Sequence, residues 1–425
     1  DTLIYNMILP LGMQPPPHPK PSASQIVGGF VKEPIPGLEK WVVVFDLASL
    51  YPNIARTLNM SPETIAIRGT PCIEEILAGL PLDKVGIIPL AMGFLLDQRN
   101  VVKGEMKGEK RLKEAALANG DKATAKAHED NVSRLNATQL ALKILANGGY
   151  GAIANRYFRY FDVDIAEGIT MTGQTVIRFV AAAINEKMNE LMETVGVDYV
   201  LGSDTDSCMT SIAAFMEGYI EACGMPANYN DLIDVADQFV QANIERDVLE
   251  PRLKELATQL GSINSTLSMK REAIADRGLF RAKKHYVLQV WDNEGVRYTE
   301  PDMKMVGIET ARTTTPKICK DMLTTALKII LNGEEADLKR EFKVWKQTFA
   351  TESPQKIGFP RGVSEINKWS DPLGNPIKKT PIGAKAALAY NKLLKQHSLL
   401  ELDPIKEGSK LKFVYLRHNN PTGMN

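Results

Sequence analysis

Tyr199-Val200-Leu201-Gly202-Ser203-Asp204-Thr205-Asp206-Ser207-Cys208 sets two aspartates one residue apart between two short apolar runs. Asp and Ser at this density between strand-like segments predict a hairpin tip. Carboxylates held so close repel each other unless a proton or a cation neutralises them. A divalent metal is one solution, and hard oxygen ligands suit Mg²⁺. A solvated acidic surface turn is the plain alternative, and the hairpin alone does not separate the two.

Upstream, Trp41-Val42-Val43-Val44-Phe45 is a continuous β-branched and aromatic run, the pattern of a buried strand. It ends in Asp46, either a residue facing a cleft or a helix N-cap, and Ser49-Leu50-Tyr51-Pro52 turns into a short helix. From Asp97 to about Ala118 a long charged helix is expected, broken by Asn119-Gly120, with a second helix from about Lys122 to Ala146. Arg99, Lys103 and Lys107 recur every four residues and share a face, as do Gln139, Lys143 and Asn147. Asp97 to Asn147 holds ten Lys or Arg against seven Asp or Glu, a local excess that is either a solvated face or a grip on polyphosphate. Asn147-Gly148-Gly149-Tyr150-Gly151 reads as a helix stop or as backbone left bare for close approach.

Further on, Thr170 to Leu191 predicts an amphipathic helix and roughly 214–260 a mixed helical segment. Lys283 to Trp291 alternates as a strand, Asp292-Asn293-Glu294-Gly295 is its turn, and Val296 onward its partner. From about Ile308 the chain is mostly helical and basic-polar, with Pro/Gly breaks at 353–383. Residues 11–24 form a Pro/Ser-rich lead-in.

A length of 425 residues exceeds one ordinary core and predicts two or three domains. Lys plus Arg equals Asp plus Glu at 51 each, so a nucleic-acid partner must be met by local patches. Cys72, Cys208, Cys223 and Cys319 show no paired spacing, which argues against a disulfide framework and a structural zinc site and favours a reducing compartment. The longest apolar run, Val85 to Leu96, holds a proline and is too short to span a bilayer, so no membrane partner is expected. The first residue is aspartate rather than methionine, as in a fragment or a processed product.

In order, these pieces resemble family B DNA polymerases. Asp46-Leu47-Ala48-Ser49-Leu50-Tyr51-Pro52-Asn53-Ile54 resembles the first polymerase motif, Asp-x-x-Ser-Leu-Tyr-Pro-Ser-Ile. Lys143 to Gly151 is similar to the second, Lys-x-x-x-Asn-Ser-x-Tyr-Gly, and Gly202 to Ser207 to the third, Tyr-Gly-Asp-Thr-Asp-Ser. Lys283 to Tyr286 resembles a Lys-Lys-Arg-Tyr strand that touches primer–template. Val31 to Pro36, Ser61 to Ile65 and Val290 to Pro316 resemble the T-even phage branch. The likeness covers nearly the whole chain and thins after about residue 330.

The resemblance implies an α+β right hand with an antiparallel-sheet palm (1–85 and 156–307), helical-hairpin fingers (86–155) and a mostly helical, truncated thumb (308–425). It implies a DNA-templated DNA polymerase that adds dNTPs to a primer 3′ end by two-metal phosphoryl transfer, with two Mg²⁺ ions and Mn²⁺ as a substitute. Asp46 and Asp206 would bridge the metals, the Leu47 carbonyl would add a ligand, Asp204 would support the site and Glu272 would sit at its edge. Arg99, Lys103 and Lys143, with backbone N–H groups at Ser49 and Leu50, would hold the triphosphate, and Tyr51 would lie under the sugar. Asn147, Tyr150 and Gly151 would line the nascent base pair, Thr205 would contact DNA, and Lys283, Lys284 and Tyr286 would meet the duplex backbone. A 3′–5′ exonuclease would precede residue 1, so a separate exonuclease-bearing chain and a sliding clamp are expected partners, in a phage-infected host cytoplasm.

Departures fall on Gly202, Ser203, Gly148, Asn53 and His285, and Ile26-Val27-Gly28-Gly29 lacks the tyrosine of the family's Tyr-x-Gly-Gly. They bear on template and primer grip rather than on the carboxylates. Two rival readings stand beside this one. A metal-dependent glycosyltransferase would explain Asp-x-Asp but neither Asp46 nor the cationic helices. A non-catalytic replisome piece would leave the carboxylates without a task.

Overall fold

The computed structural model describes residues 1–11, 26–62, 64, 85–226, 228–262 and 265–415. Most of the Pro/Ser-rich lead-in, Glu63 and Ile65 of the Ser61 to Ile65 stretch, and Cys72 lie outside the described residues. The chain divides into two compact units, one of 1–277, 281–283 and 290–302, the other of 278–280, 284–289 and 303–425. The secondary structure mixes helices with an antiparallel sheet, as an α+β chain should.

In the first unit, α1 (Thr2–Ile8) is followed by β1 (Val31–Lys32), β2 (Gly37–Leu47) and α2 (Leu50–Thr57). Two long helices follow, α3 (Ile87–Ala118) and α4 (Lys122–Ile153), and then α5 (Val163–Leu191). The acidic hairpin is β3 (Val200–Asp204) and β4 (Ser207–Ser211); α6 (Ala213–Cys223), α7 (Tyr229–Val240), a π-helical stretch at Gln241–Leu249 and α8 (Glu250–Gln259) come next. The strands β5 (Met269–Ala282), β6 (His285–Asn293) and β7 (Val296–Val306), whose residues 278–280, 285–289 and 303–306 belong to the second unit, follow in a sheet of order β1-β3-β4-β2-β5-β6-β7.

The Trp41 to Phe45 run forms the buried middle of β2. Phe45 and Leu47 belong to the same buried core as Ile165, Ile169, Val176, Val180 and Ile184, which recur on one face of α5. Each such side chain contributes about 1.5–3 kcal/mol by leaving water. Across the ladder Phe45 pairs with Cys208 and Asp46 with Ser207, so the sheet itself sets the height of both acidic segments. β3 carries a bulge between Val200 and Gly202 that alternation alone does not announce.

Three helix boundaries differ from the sequence expectation, and one of them is the start of α5, at Val163 rather than Thr170. α3 begins at Ile87, because the apolar run before Asp97 is its buried first third: Ile87, Ile88, Ala91, Met92, Leu95 and Leu96. α4 continues through Asn147 to Gly151 and ends at Ile153. Each interior glycine costs a helix about 1 kcal/mol, yet buried Ala146 and Ile153 anchor this one on both sides. The expected break between the helices holds, with Gly120 at φ 75° and Asp121 capping α4 by accepting from the Thr124 N–H at 3.0 Å.

The second hairpin is also shifted from its expected register. Lys283-Lys284 is the turn between β5 and β6, with Lys284 at φ 59°, so the strand starts at His285 rather than Lys283. The next turn is only Glu294-Gly295, both at positive φ (49° and 80°), the primed two-residue geometry that matches strand twist.

In the second unit, α9 (Lys317–Asn332), α10 (Glu335–Thr351), α11 (Pro354–Ile357), β8 (Phe359–Gly362), α12 (Ile382–Gln396) and β9 (Lys410–Phe413) follow in order. One small core joins Val287 to Leu327 and Leu331, and another joins Val363 and Ile366 to Ala387 and Leu388. Gln289 and Asn332 exchange amide hydrogen bonds of 3.2 and 2.7 Å beside the first. Gly307, at φ 69°, admits no Cβ, which would lie 2.1 Å from the Lys284 carbonyl oxygen.

Candidate active site

The carboxylates sit where strands end. The Leu47 N–H donates to the Asp206 carbonyl at 2.8 Å, locking the end of β2 to the turn between β3 and β4. That turn is Thr205-Asp206, with Thr205 at φ 61°, an uncommon conformation for a β-branched residue. It is held in place: the Thr205 N–H donates to the Phe30 carbonyl at 2.9 Å and its hydroxyl to Asp204 Oδ1 at 3.2 Å. The 26–30 loop is fastened in turn by Gln174, whose Nε2 donates to the Gly28 carbonyl at 2.6 Å, and by the Arg178 guanidinium 4.3 Å above the Phe30 ring. A Cβ on Gly29 would lie 2.8 Å from both Thr205 Cγ2 and the Tyr51 hydroxyl, so this loop presses on the site's floor.

At the start of α2 stands Ser49, at φ 45°, and not Asp46, which disposes of the N-cap reading of the aspartate. Asn53 fixes this corner by donating from Nδ2 to the Ala48 carbonyl at 2.6 Å, a structural task for a residue that departs from the family motif. Tyr51 follows, packed against the Tyr150 ring at 4.6 Å between centroids and facing Gly173, where a Cβ would stand 3.1 Å from its ring. Burial, then Tyr150 and the carboxylates Asp206 and Asp204, push the Tyr51 hydroxyl up to about 12. It stays protonated through the neutral range.

A cleft of about 970 Å³ opens over these residues. Its lining unites Asp46, Ser49, Leu50, Tyr51, Thr205 and Asp206 with Arg99, Lys103, Lys143, Asn147 and Tyr150 from the two long helices, and with Glu272 from β5. Lys107, on the same face as Arg99 and Lys103, lines it too. Burial raises the Asp206 carboxyl above the usual carboxylate range; Asp204 and Glu272 push the same way, and Lys143 pulls it back. Arg99 approaches Ser49 Oγ at 3.5 Å and Gln139 Oε1 at 3.4 Å, both long contacts. Lys103 Nζ lies 3.4 Å from a carboxylate oxygen of Glu294.

Leu47, Asp204, Gly151, Lys283, Lys284 and Tyr286 are not in that lining. Asp204 belongs to the last position of β3 and faces Val31 and Ser207 across the ladders. Lys283, in the first unit, lies 3.6 Å from Glu33. Tyr286, in the second, is 7% exposed with its ring stacked on Phe280 at 5.8 Å, so the ring packs inward. Of the glycines near Tyr150, Gly148 and Gly151 face open space, whereas Gly149 meets Met92 at 3.3 Å. Gly202 faces Met209, and buried Ser203 accepts a hydrogen bond from the Lys32 N–H at 3.3 Å, so both departures serve packing of the strands.

Sequence reasoning missed Gln241 and Glu245 of the π-helical stretch, and Lys270, Arg271 and Glu294. Arg271 is 7% exposed and binds Asp237 at 2.8 Å and buried Asp292, while its N–H donates to Glu245 Oε1. The π-helical geometry, which often marks functional sites, leaves no periodic signature a reader of the sequence could use. Among the described residues no three His, Cys, Asp or Glu converge closely enough to hold a metal ion by themselves, and no helix is long and apolar enough to cross a membrane.

Known proteins share this arrangement of sequence. The profile of DNA polymerase family B matches residues 5–225. The DNA-directed DNA polymerase of Escherichia phage RB69 is 30% identical over the whole chain and 53% of its own length, and that of Enterobacteria phage T4 is 28% identical over the same shares. A DNA polymerase of Pyrococcus glycovorans is 28% identical over 78% of this chain and 35% of its own. The chain spans about half the length of the two phage polymerases it matches. With more than half of its residues inside the family profile and its whole length alignable to T-even phage polymerases, the chain belongs to DNA polymerase family B.

Proposed function

We propose that this chain is the polymerising part of a DNA-templated DNA polymerase, adding dNTPs to a primer 3′ end. The observation that carries the reading is one cleft joining Asp46 and Asp206 to Arg99, Lys103 and Lys143. A nucleotide-sugar site built on the Asp-x-Asp turn alone would leave the three cations and Asp46 unexplained. In the proposed right hand, the palm is 1–85 and 156–307, the fingers 86–155 and the thumb 308–425.

The donor set fits Mg²⁺, which is commonly held by one or two carboxylates with substrate phosphates and water completing its shell. Asp206, a partly buried carboxyl raised first by desolvation and then by Asp204 and Glu272, is a group that a divalent cation would draw back into its charged form. Asp46 and Asp206, with the Leu47 carbonyl, would hold two ions, Asp204 would support them from behind and Glu272 would serve at the edge. Bound there, the ions supply charge neutralisation and a more acidic 3′ hydroxyl.

The chain's own groups do the rest. Arg99, Lys103 and Lys143 neutralise the triphosphate, Arg as a fork and Lys as point charges. The amides of Ser49 and Leu50, at the positive end of α2, add donors to the same phosphates. Tyr51, wedged by Gly29, Gly173 and Tyr150, forms a fixed floor under the sugar and leaves no room for a 2′ hydroxyl. Asn147, Tyr150 and Gly151 border the new base pair, and Thr205 contacts DNA beside them. Lys283, Lys284 and Tyr286 belong to a strand and turn that would track the duplex backbone. Primer–template DNA is the partner; a separate exonuclease-bearing chain and a sliding clamp would complete a replication assembly.

Primer extension with dNTPs and Mg²⁺ tests this reading. Asp206→Asn should lower the single-turnover rate by roughly 10³-fold or more, the scale on which loss of one preorganised charge-stabilising group is felt. Undiminished extension by that variant would remove Asp206 from the metal site.

A further inference from the structure

Glu294 occupies the first residue of a primed two-residue turn at φ 49°, a position that favours Asn, Asp or Gly and disfavours a long side chain. Its neighbours hold that turn rigidly. The Glu294 N–H donates to the Glu272 carbonyl at 2.6 Å, and the Gly295 N–H to Asp292 Oδ1 at 3.0 Å. Asp292, 3% exposed, is itself clamped by Arg271 and by Arg297 at 3.2 Å. Local structure therefore explains the turn but not the glutamate. What the glutamate does reach is Lys103, at 3.4 Å.

Lys103 lies on the face of α3 that also carries Arg99 and Lys107, and all three line the cleft with Glu294. The pair is partly open to water, 28% for the lysine and 56% for the glutamate, so it can exchange partners easily. We propose that Glu294 is an internal competitor for the triphosphate: it pairs with Lys103 while the cleft holds no nucleotide and must be displaced when phosphate oxygens take that cation. This rests on the polymerase reading and adds to it a residue that sets nucleotide affinity. A triphosphate held by all its contacts displaces the carboxylate, and one held by few does not. Glu294 thereby raises the affinity threshold for productive binding without touching base or sugar.

Binding of inorganic tripolyphosphate to the 425-residue chain, in metal-free buffer at low salt, tests it in four proteins: the unaltered chain, Glu294→Gln, Lys103→Met and the double variant. Glu294→Gln should tighten binding by about threefold, the scale of a half-exposed ion pair. In the Lys103→Met background the same change should do nothing. An equal gain without Lys103 would mean simple repulsion by the carboxylate and would overturn the proposal. So would no gain in the Lys103 background, or no tripolyphosphate binding by the unaltered chain. Primer extension run in parallel separates the two readings: a chain that fails to extend but shows the predicted coupling keeps the competitor and loses the polymerase, and the converse pattern does the opposite.

Discussion

The cleft has two sides made in different ways. Asp46 stands in β2 and Asp206 in the turn that leads into the neighbouring β4, on a sheet whose side chains Phe45 and Leu47 are fully buried in the core that α5 shares. Arg99, Lys103 and Lys143 stand on two long helices that bury few described residues outside the main core: Leu95, Leu96 and Ala146, with Leu142 at the margin of that cluster, and then Met106, Ala116 and Ala125. Backbone pairing fixes the acids, whereas Arg99 and Lys103 rest on contacts of 3.4–3.5 Å. Such a division suits a site in which one wall is a fixed reference and the other responds to what enters.

The contrast can be broken by substitution. Phe45→Ala removes a fully buried ring from the rigid side and should destabilise the chain by about 3–5 kcal/mol, measured by denaturant unfolding; a loss below 1 kcal/mol would show that the sheet is not the rigid side. Arg99→Ala should lower kcat/KM for dNTP incorporation by about 10². If steady-state kinetics give a change within twofold, the responsive wall is not the phosphate grip. Tyr51→Ala should weaken discrimination against ribonucleotides by roughly tenfold, and competition assays that return the original ratio would take Tyr51 out of the sugar floor. Smallest of all, Leu142→Ala should cost about 1 kcal/mol or less, since the site is half exposed. A cost matching that of Phe45→Ala would erase the difference between the two walls.

The acidic half was the more legible in the sequence. Trp41 to Phe45 and the Asp204–Asp206 turn are local patterns, and a strand that is buried on both faces writes itself as an apolar run. The cationic face was legible too, because Arg99, Lys103 and Lys107 repeat at helical spacing. Three helix ends were not: the starts of α3 and α5 and the end of α4. The Val85 to Leu96 run is indistinguishable by period from a separate buried segment, and the glycines after Asn147 argue locally for a stop that Ala146 and Ile153 override by packing. Glu245, Arg271 and Glu294 reach the cleft through topology alone, since each lies on an element remote in sequence from Asp46 and carries no motif of its own.

One detail at the hairpin tip has a thermodynamic consequence. Thr205 keeps a left-handed backbone that costs on the order of 1–3 kcal/mol, and the carbonyl of Phe30 helps to retain it. That conformational work is done once, during folding. In the proposed site an arriving cation or nucleotide would therefore meet an Asp206 whose backbone needs no further ordering, and the entropy of arranging it would be absent from the binding event.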